Sequence, residues 1–170
     1  MSTAPPPSSA GSSAGSSAPS STGSSAPTPP PPRETRITLE RHVLAPRETT
    51  WRVLCDTIEE LAGPYVVEGD PPPHGVGARL HLPHPDGGEL VETVVSFEPP
   101  WRRVYVVEGD TGLALYQGTF SLRDDGPESH LAWCVVADPE PGEAGRAFLD
   151  TAVAVIGRLC DLVVARAEAA

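Results

Sequence analysis

The residues of this sequence that could do chemistry stand on segments that alternate like strands. Glu92 lies between Val91 and Thr93. Turned inward, burial would raise its pKa and make it a general-acid candidate. Leu90, Glu92, Val94 and Ser96 nevertheless read as the wetter side of their strand, which would turn Glu92 to solvent. Arg79 and His81 share a parity opposite Leu80 and Leu82. An inward Arg79 could orient a ligand carboxylate or an enolate, whereas an exposed Arg–Glu pair is the plainer reading. Tyr116, Gly118, Phe120 and Leu122 alternate with Gln117, Thr119 and Ser121 and should face inward, with Gly118 allowing close approach of another element. On the following strand Leu131, Trp133 and Val135 should face in. Tyr116 and Trp133 then offer large apolar walls with polar tips, either lining a ligand pocket or simply filling core. Arg41 alternates with Ile37, Leu39 and Val43, which points it inward unless it snorkels out at a sheet edge.

Other chemistries find no support. His81 and His84 are separated by Leu82 and Pro83, which spoils helical geometry, and a metal site would need more ligands than stand nearby. There is no Gly-x-Ser-x-Gly nucleophile elbow, and Gly75-Val-Gly77 lacks the third glycine and the helix of a phosphate loop. No cofactor is expected. All 12 basic residues are Arg, which excludes Lys-based Schiff-base chemistry. Cys55, Cys134 and Cys160 are odd in number, widely spaced and set among apolar residues, so they read as small buried hydrophobes.

The elements that must position these residues follow from periodicity. Arg36–Leu44 alternates and ends at Ala45-Pro46. Trp51, Leu54, Cys55, Ile58 and Leu61 recur at helical spacing over 47–61, and Gly63-Pro64 terminates that helix. Residues 65–75 read as loop. Strands follow over 76–82, 89–97, 101–108, 113–122 and 129–136, joined by turns at 83–88, 98–100, 109–112 and 123–127. Tyr65-Val-Val-Glu-Gly-Asp70 recurs as Tyr105-Val-Val-Glu-Gly-Asp110, but the flanks differ and the repeat reads as chance. Residues 143–167 form one long helix with two adjacent apolar rows, one of them containing Phe148, Ala152, Val155 and Leu159. Short links force antiparallel pairing, and a run of strands closed by a helix gives an α+β domain: about six strands curved around the last helix.

Residues 1–35 are expected to be a disordered tail, since the first 32 are almost only Ser, Ala, Pro, Gly and Thr and carry no charged side chain. They lack the basic start and apolar run of a secretory signal, and no stretch is apolar enough to span a membrane, so a cytoplasmic location is expected. The formal net charge of -11 opposes binding to nucleic acid or to anionic lipid. Nothing in the sequence sets an oligomeric state.

Residues 36–167 resemble the START-like (SRPBCC) superfamily, which includes the birch-pollen allergen, polyketide cyclases and lipid-transfer domains. The residues carrying the likeness are Ala45-Pro46 followed by Trp51 and Asp56, then Gly75-Val-Gly-Ala-Arg79 and Gly88-Glu-Leu-Val-Glu92. Pro99-Pro100 before the strand holding Tyr105, Tyr116-x-Gly118-x-Phe120, Leu131-x-Trp133 and the closing helix complete it. The likeness is nearest to the polyketide cyclase/dehydrase-like branch. It implies a helix-grip fold with a cavity between sheet and terminal helix, and a small hydrophobic ligand as partner. Arg41, His81, Tyr105, Tyr116, Phe120, Trp133, Val155 and Leu159 are the candidate ligand contacts. It implies, alternatively, a cyclase or aromatase in which Arg79, Glu92 and Tyr116 polarise and protonate a poly-ketone. A third implied role is a protein-interaction module, which would have a filled core and an exposed apolar patch.

Overall fold

The structure, a computed structural model, describes residues 34–83 and 88–170. The Ser/Ala/Pro-rich tail and the tip of the 83–88 turn lie outside the described residues.

Eight elements follow in the order β1 (Thr35–Val43), α1 (Arg47–Ala62), β2 (Arg79–Pro83), β3 (Glu89–Glu98), β4 (Arg102–Gly109), β5 (Tyr116–Asp125), β6 (Glu128–Ala137) and α2 (Glu143–Glu168). The strands form one antiparallel sheet ordered β1-β6-β5-β4-β3-β2. Hairpin links account for β2 to β6, and the excursion through α1 places β1 beside the last strand. This is the α+β helix-grip architecture, with α2 packed against β1 and α1.

Helix α1 begins where Thr50 N–H donates to the Pro46 carbonyl at 3.0 Å and ends at Gly63, whose φ of +81° suits a residue without Cβ. Its buried side includes Trp51, Leu54 and Cys55. Ser129 on β6 fixes its start by donating to the Ala45 carbonyl at 2.9 Å. Helix α2 has 26 residues, so it extends about 39 Å. Its two apolar rows do different things. Leu149, Ile156, Cys160 and Val163 are buried, with Ile156 reaching a cavity under the helix, while Phe148, Ala152 and Leu159 are half-buried along that cavity.

Three differences from the sequence reading have local causes. Residues 76–78 do not continue β2, because Gly77 adopts a φ of +86°. They attach instead through Gly77 N–H to the Val94 carbonyl and Val94 N–H to the Ala78 carbonyl, both at 2.9 Å. Residues 113–115 are loop rather than the start of β5, because the Asp138 carboxylate accepts from Ala114 N–H and Leu115 N–H at 2.9 and 2.7 Å. The face assigned to β3 is reversed: Leu90, Glu92 and Val94 are 4%, 7% and 1% exposed and point inward. Val91 and Thr93 on the other face are half-buried too, so alternation gave little contrast. A bulge at Val94/Ser96 then breaks the phase.

Candidate functional site

Between α2 and the sheet lies a cavity of about 750 Å³. Leu82, Leu90 and Val107 wall it from β2, β3 and β4, and Ile58 and Leu61 close it from α1. Phe148, Ala152, Val155 and Leu159 roof it from α2. The loop Asp110–Gly112 reaches one end. There Gly145 on α2 lies so close to the loop that a Cβ would stand 2.8 Å from the Gly112 carbonyl oxygen.

Polar groups gather on the sheet side. The Trp133 indole N–H donates to the Tyr105 hydroxyl at 2.9 Å, and Tyr116 lies beside Tyr105. Tyr116 also meets Phe148 edge-on with ring centroids 5.6 Å apart. Burial pushes the Tyr116 phenol up to about 12, with the Tyr105 hydroxyl pulling the other way. Burial raises Tyr105 well above its ordinary value. Both phenols therefore hold their protons at neutral pH and can act as hydrogen-bond donors rather than as bases. The Tyr105 ring is seated over its cross-strand partner Gly118, where an added Cβ would fall 2.0 Å from Tyr105 Cζ. The close approach at Gly118 is thus made by Tyr105.

Glu92 completes the polar wall. Its carboxylate meets the Arg103 guanidinium at 2.5 Å, and the two residues are 7% and 1% exposed. Burial opposes the charge on Arg103, but Glu92 outweighs it, so the guanidinium binds its proton more tightly than usual. The guanidinium also stands 5.3 Å from the centre of the Tyr105 ring.

Of the residues singled out in the sequence, Glu92, Tyr105, Tyr116, Trp133, Val155 and Leu159 meet at this cavity. Four do not. Arg79 is exposed, because Leu80 and Leu82 take the inner face of β2. His81 shares its parity and pairs outside with Glu89 at 3.3 Å. Arg41 reaches α2 instead, where it donates to Asp161 at 2.7 Å. Phe120 points inward but is 1% exposed and packed between Trp51 and Trp133, with centroids 6.0 and 5.6 Å away. Arg103 was missed. Its signal was its phase with Tyr105 and Val107, which obliges one of the two adjacent arginines to face inward.

Comparison with known proteins agrees with this fold. Residues 34–170 match the family model described as polyketide cyclase/dehydrase and lipid transport. No curated protein matches in sequence. Among solved structures, protein MLL2253 from Mesorhizobium loti is 20% identical, with a TM-score of 0.59 over 78% of this chain and 96% of that one. Ara h 8.0201 is 11% identical, with a TM-score of 0.61 over 81% and 99%. DynU16, from the dynemicin biosynthetic locus, is 18% identical, with a TM-score of 0.55 over 73% of this chain and 45% of that one. The structural likenesses speak for the helix-grip fold alone, and the family match over 34–170 places this chain in the polyketide cyclase/dehydrase and lipid-transport family of START-like proteins.

Proposed function

We propose that this protein binds a small, mostly apolar molecule, lipid-like or polyketide-like, between α2 and the sheet. One observation carries the reading: a cavity of about 750 Å³ with mainly apolar walls and a polar cluster on one side. That volume falls within the roughly 300–1,000 Å³ usual for small-molecule sites. The apolar body would lie against Leu90, Val107, Phe148 and Leu159, and an oxygen-bearing end would face Tyr116, Tyr105 and Glu92. A module acting only through its surface would have no need of such a void. Native mass spectrometry of freshly purified protein tests the reading, with a retained lipid-like mass as the expected result. No retained mass, together with no binding of a fluorescent apolar probe, would overturn it.

A second reading, a cyclase-type enzyme, is favoured by the presence of Tyr116 and Glu92 on one cavity. Tyr116 would donate a hydrogen bond to a ketone oxygen as negative charge develops there. Glu92, already engaged by Arg103, suits accepting or orienting better than donating a proton. Arg79 drops out of this scheme, being exposed on the outer face. Turnover of a poly-ketone unchanged in both Tyr116→Phe and Glu92→Gln would exclude these roles.

A further inference from the structure

On the sheet face opposite the cavity, His42 of β1 stands directly across from His130 of β6, with ring centroids 5.0 Å apart. The face is fixed by parity, since Leu131 and Trp133 on the same strand point inward. Asp125 and Glu128 pair across the turn joining β5 to β6 and share that outer face. His42 Nε2 lies 2.7 Å from a Glu128 oxygen and 3.8 Å from Asp125 Oδ2, and His130 Nε2 lies 3.0 Å from the same Asp125 oxygen. Donor atoms of His42, Asp125 and His130 all lie within 4.8 Å of one another.

We propose that His42, His130 and Asp125, with Glu128 beside them, form a surface site for a divalent transition cation of the zinc class. Tetrahedral ligands at about 2.0–2.1 Å from zinc stand about 3.4 Å apart, so side-chain shifts of about 1 Å bring these donors into place. Two imidazoles with carboxylate suit zinc, copper or nickel rather than magnesium or calcium. The donors come from three adjacent strands held in register by backbone hydrogen bonds, so little ordering remains to be done on binding. Glu40, two residues before His42 on the same face, adds negative charge, against Arg123 opposite His130. The bound cation would tie the end of β1 to the β5–β6 hairpin and raise stability by mass action. The sequence gives no hint of it, because the ligands lie 42, 125, 128 and 130 along the chain and converge only through strand order.

Calorimetric titration of protein free of any histidine tag with zinc chloride, and an absorbance titration with cobalt, test the site. Saturable one-to-one binding is expected, with His42→Gln and His130→Gln each weakening it by about 10-fold or more. Asp125→Asn should weaken it as well, and at equal zinc concentration Tm should rise less in the histidine variants than in the parent protein. These side chains are partly exposed, so the variants are expected to fold, and circular dichroism verifies it. Absence of saturable zinc binding, or binding unchanged in both histidine variants, would overturn the proposal.

Discussion

Arg103 and Glu92 form an ion pair of 2.5 Å at the boundary between core and cavity, with the Tyr105 ring alongside the guanidinium. Removing one partner leaves the other buried and without its ion-pair hydrogen bond. Arg103→Met and Glu92→Leu should therefore each destabilise the fold by about 3–5 kcal/mol in denaturant titration. The double variant should recover most of that loss, because neither charge remains to be solvated. Additive losses in the double variant would show that the pair is not coupled.

Gly118 is the floor under Tyr105. A methyl group there would overlap the ring, with Tyr105 Cζ at 2.0 Å, and the ring cannot retreat without releasing its hydrogen bond from Trp133. Gly118→Ala is expected to cost about 1–3 kcal/mol or more and to weaken apolar-probe binding, since Tyr105 would be displaced toward the cavity. Unchanged stability and unchanged binding together would mean that the ring is not so tightly seated.

The cavity can be closed without touching its polar wall. Ala152 lies on the roof and is half-buried. Ala152→Phe should fill empty space, keep Tm close to that of the parent and abolish retention of an apolar ligand in native mass spectrometry. Retention unaffected by the larger side chain would place the ligand elsewhere.

Much of the fold was legible because its periodicities are clean. Leu131, Trp133 and Val135 alternate without interruption, and α2 shows its apolar rows along its whole length. The site was legible only where alternation was unambiguous. Alternation with Gln117, Thr119 and Ser121 points Tyr116 inward, and the phase of Leu131 and Val135 points Trp133 inward. Alternation turns Glu92 outward because apolar residues occupy both faces of β3, whereas its partner Arg103 on β4 draws it inward, and pairing between distant charges leaves no periodic trace. Arg41 shows the converse: its phase is inward, but Asp161 at the edge of α2 captures it outside the cavity.

Alkaline pH should unfold the protein earlier than exposed tyrosines would suggest. Burial raises Cys55 and Cys160 from 9.0 to about 11, and Tyr65 and Tyr116 from 10.0 to about 12. Groups whose folded values are raised favour the folded state below their unfolded values, and that contribution disappears as pH passes the folded ones. Stability should hold to about pH 9 and then fall through pH 12, with Cys55, Cys160 and Tyr116 each contributing at most about 3 kcal/mol and half-buried Tyr65 less, because solvent screens it. Denaturation midpoints over this range, with tyrosinate absorbance recorded in parallel, check it. A midpoint constant to pH 12 would contradict the burial of these groups.

The loop at the end of the cavity should govern how fast a ligand enters and leaves. Asp138 holds Ala114 and Leu115 by two charge-assisted hydrogen bonds, and the preceding residues Asp110–Gly112 border the cavity. Hydrogen bonds to a charged group contribute about 1.5–3 kcal/mol, but this carboxylate is solvated, so the loss in global stability should sit at or below the low end. The local effect is larger, because both amides lose their acceptor at once. Asp138→Ala should speed amide exchange at Ala114 and Leu115 and accelerate both entry and release of an apolar probe in stopped-flow measurements. Equilibrium affinity should change little, since the variant leaves the cavity walls intact. Exchange and probe kinetics identical to the parent would mean that this loop does not control access.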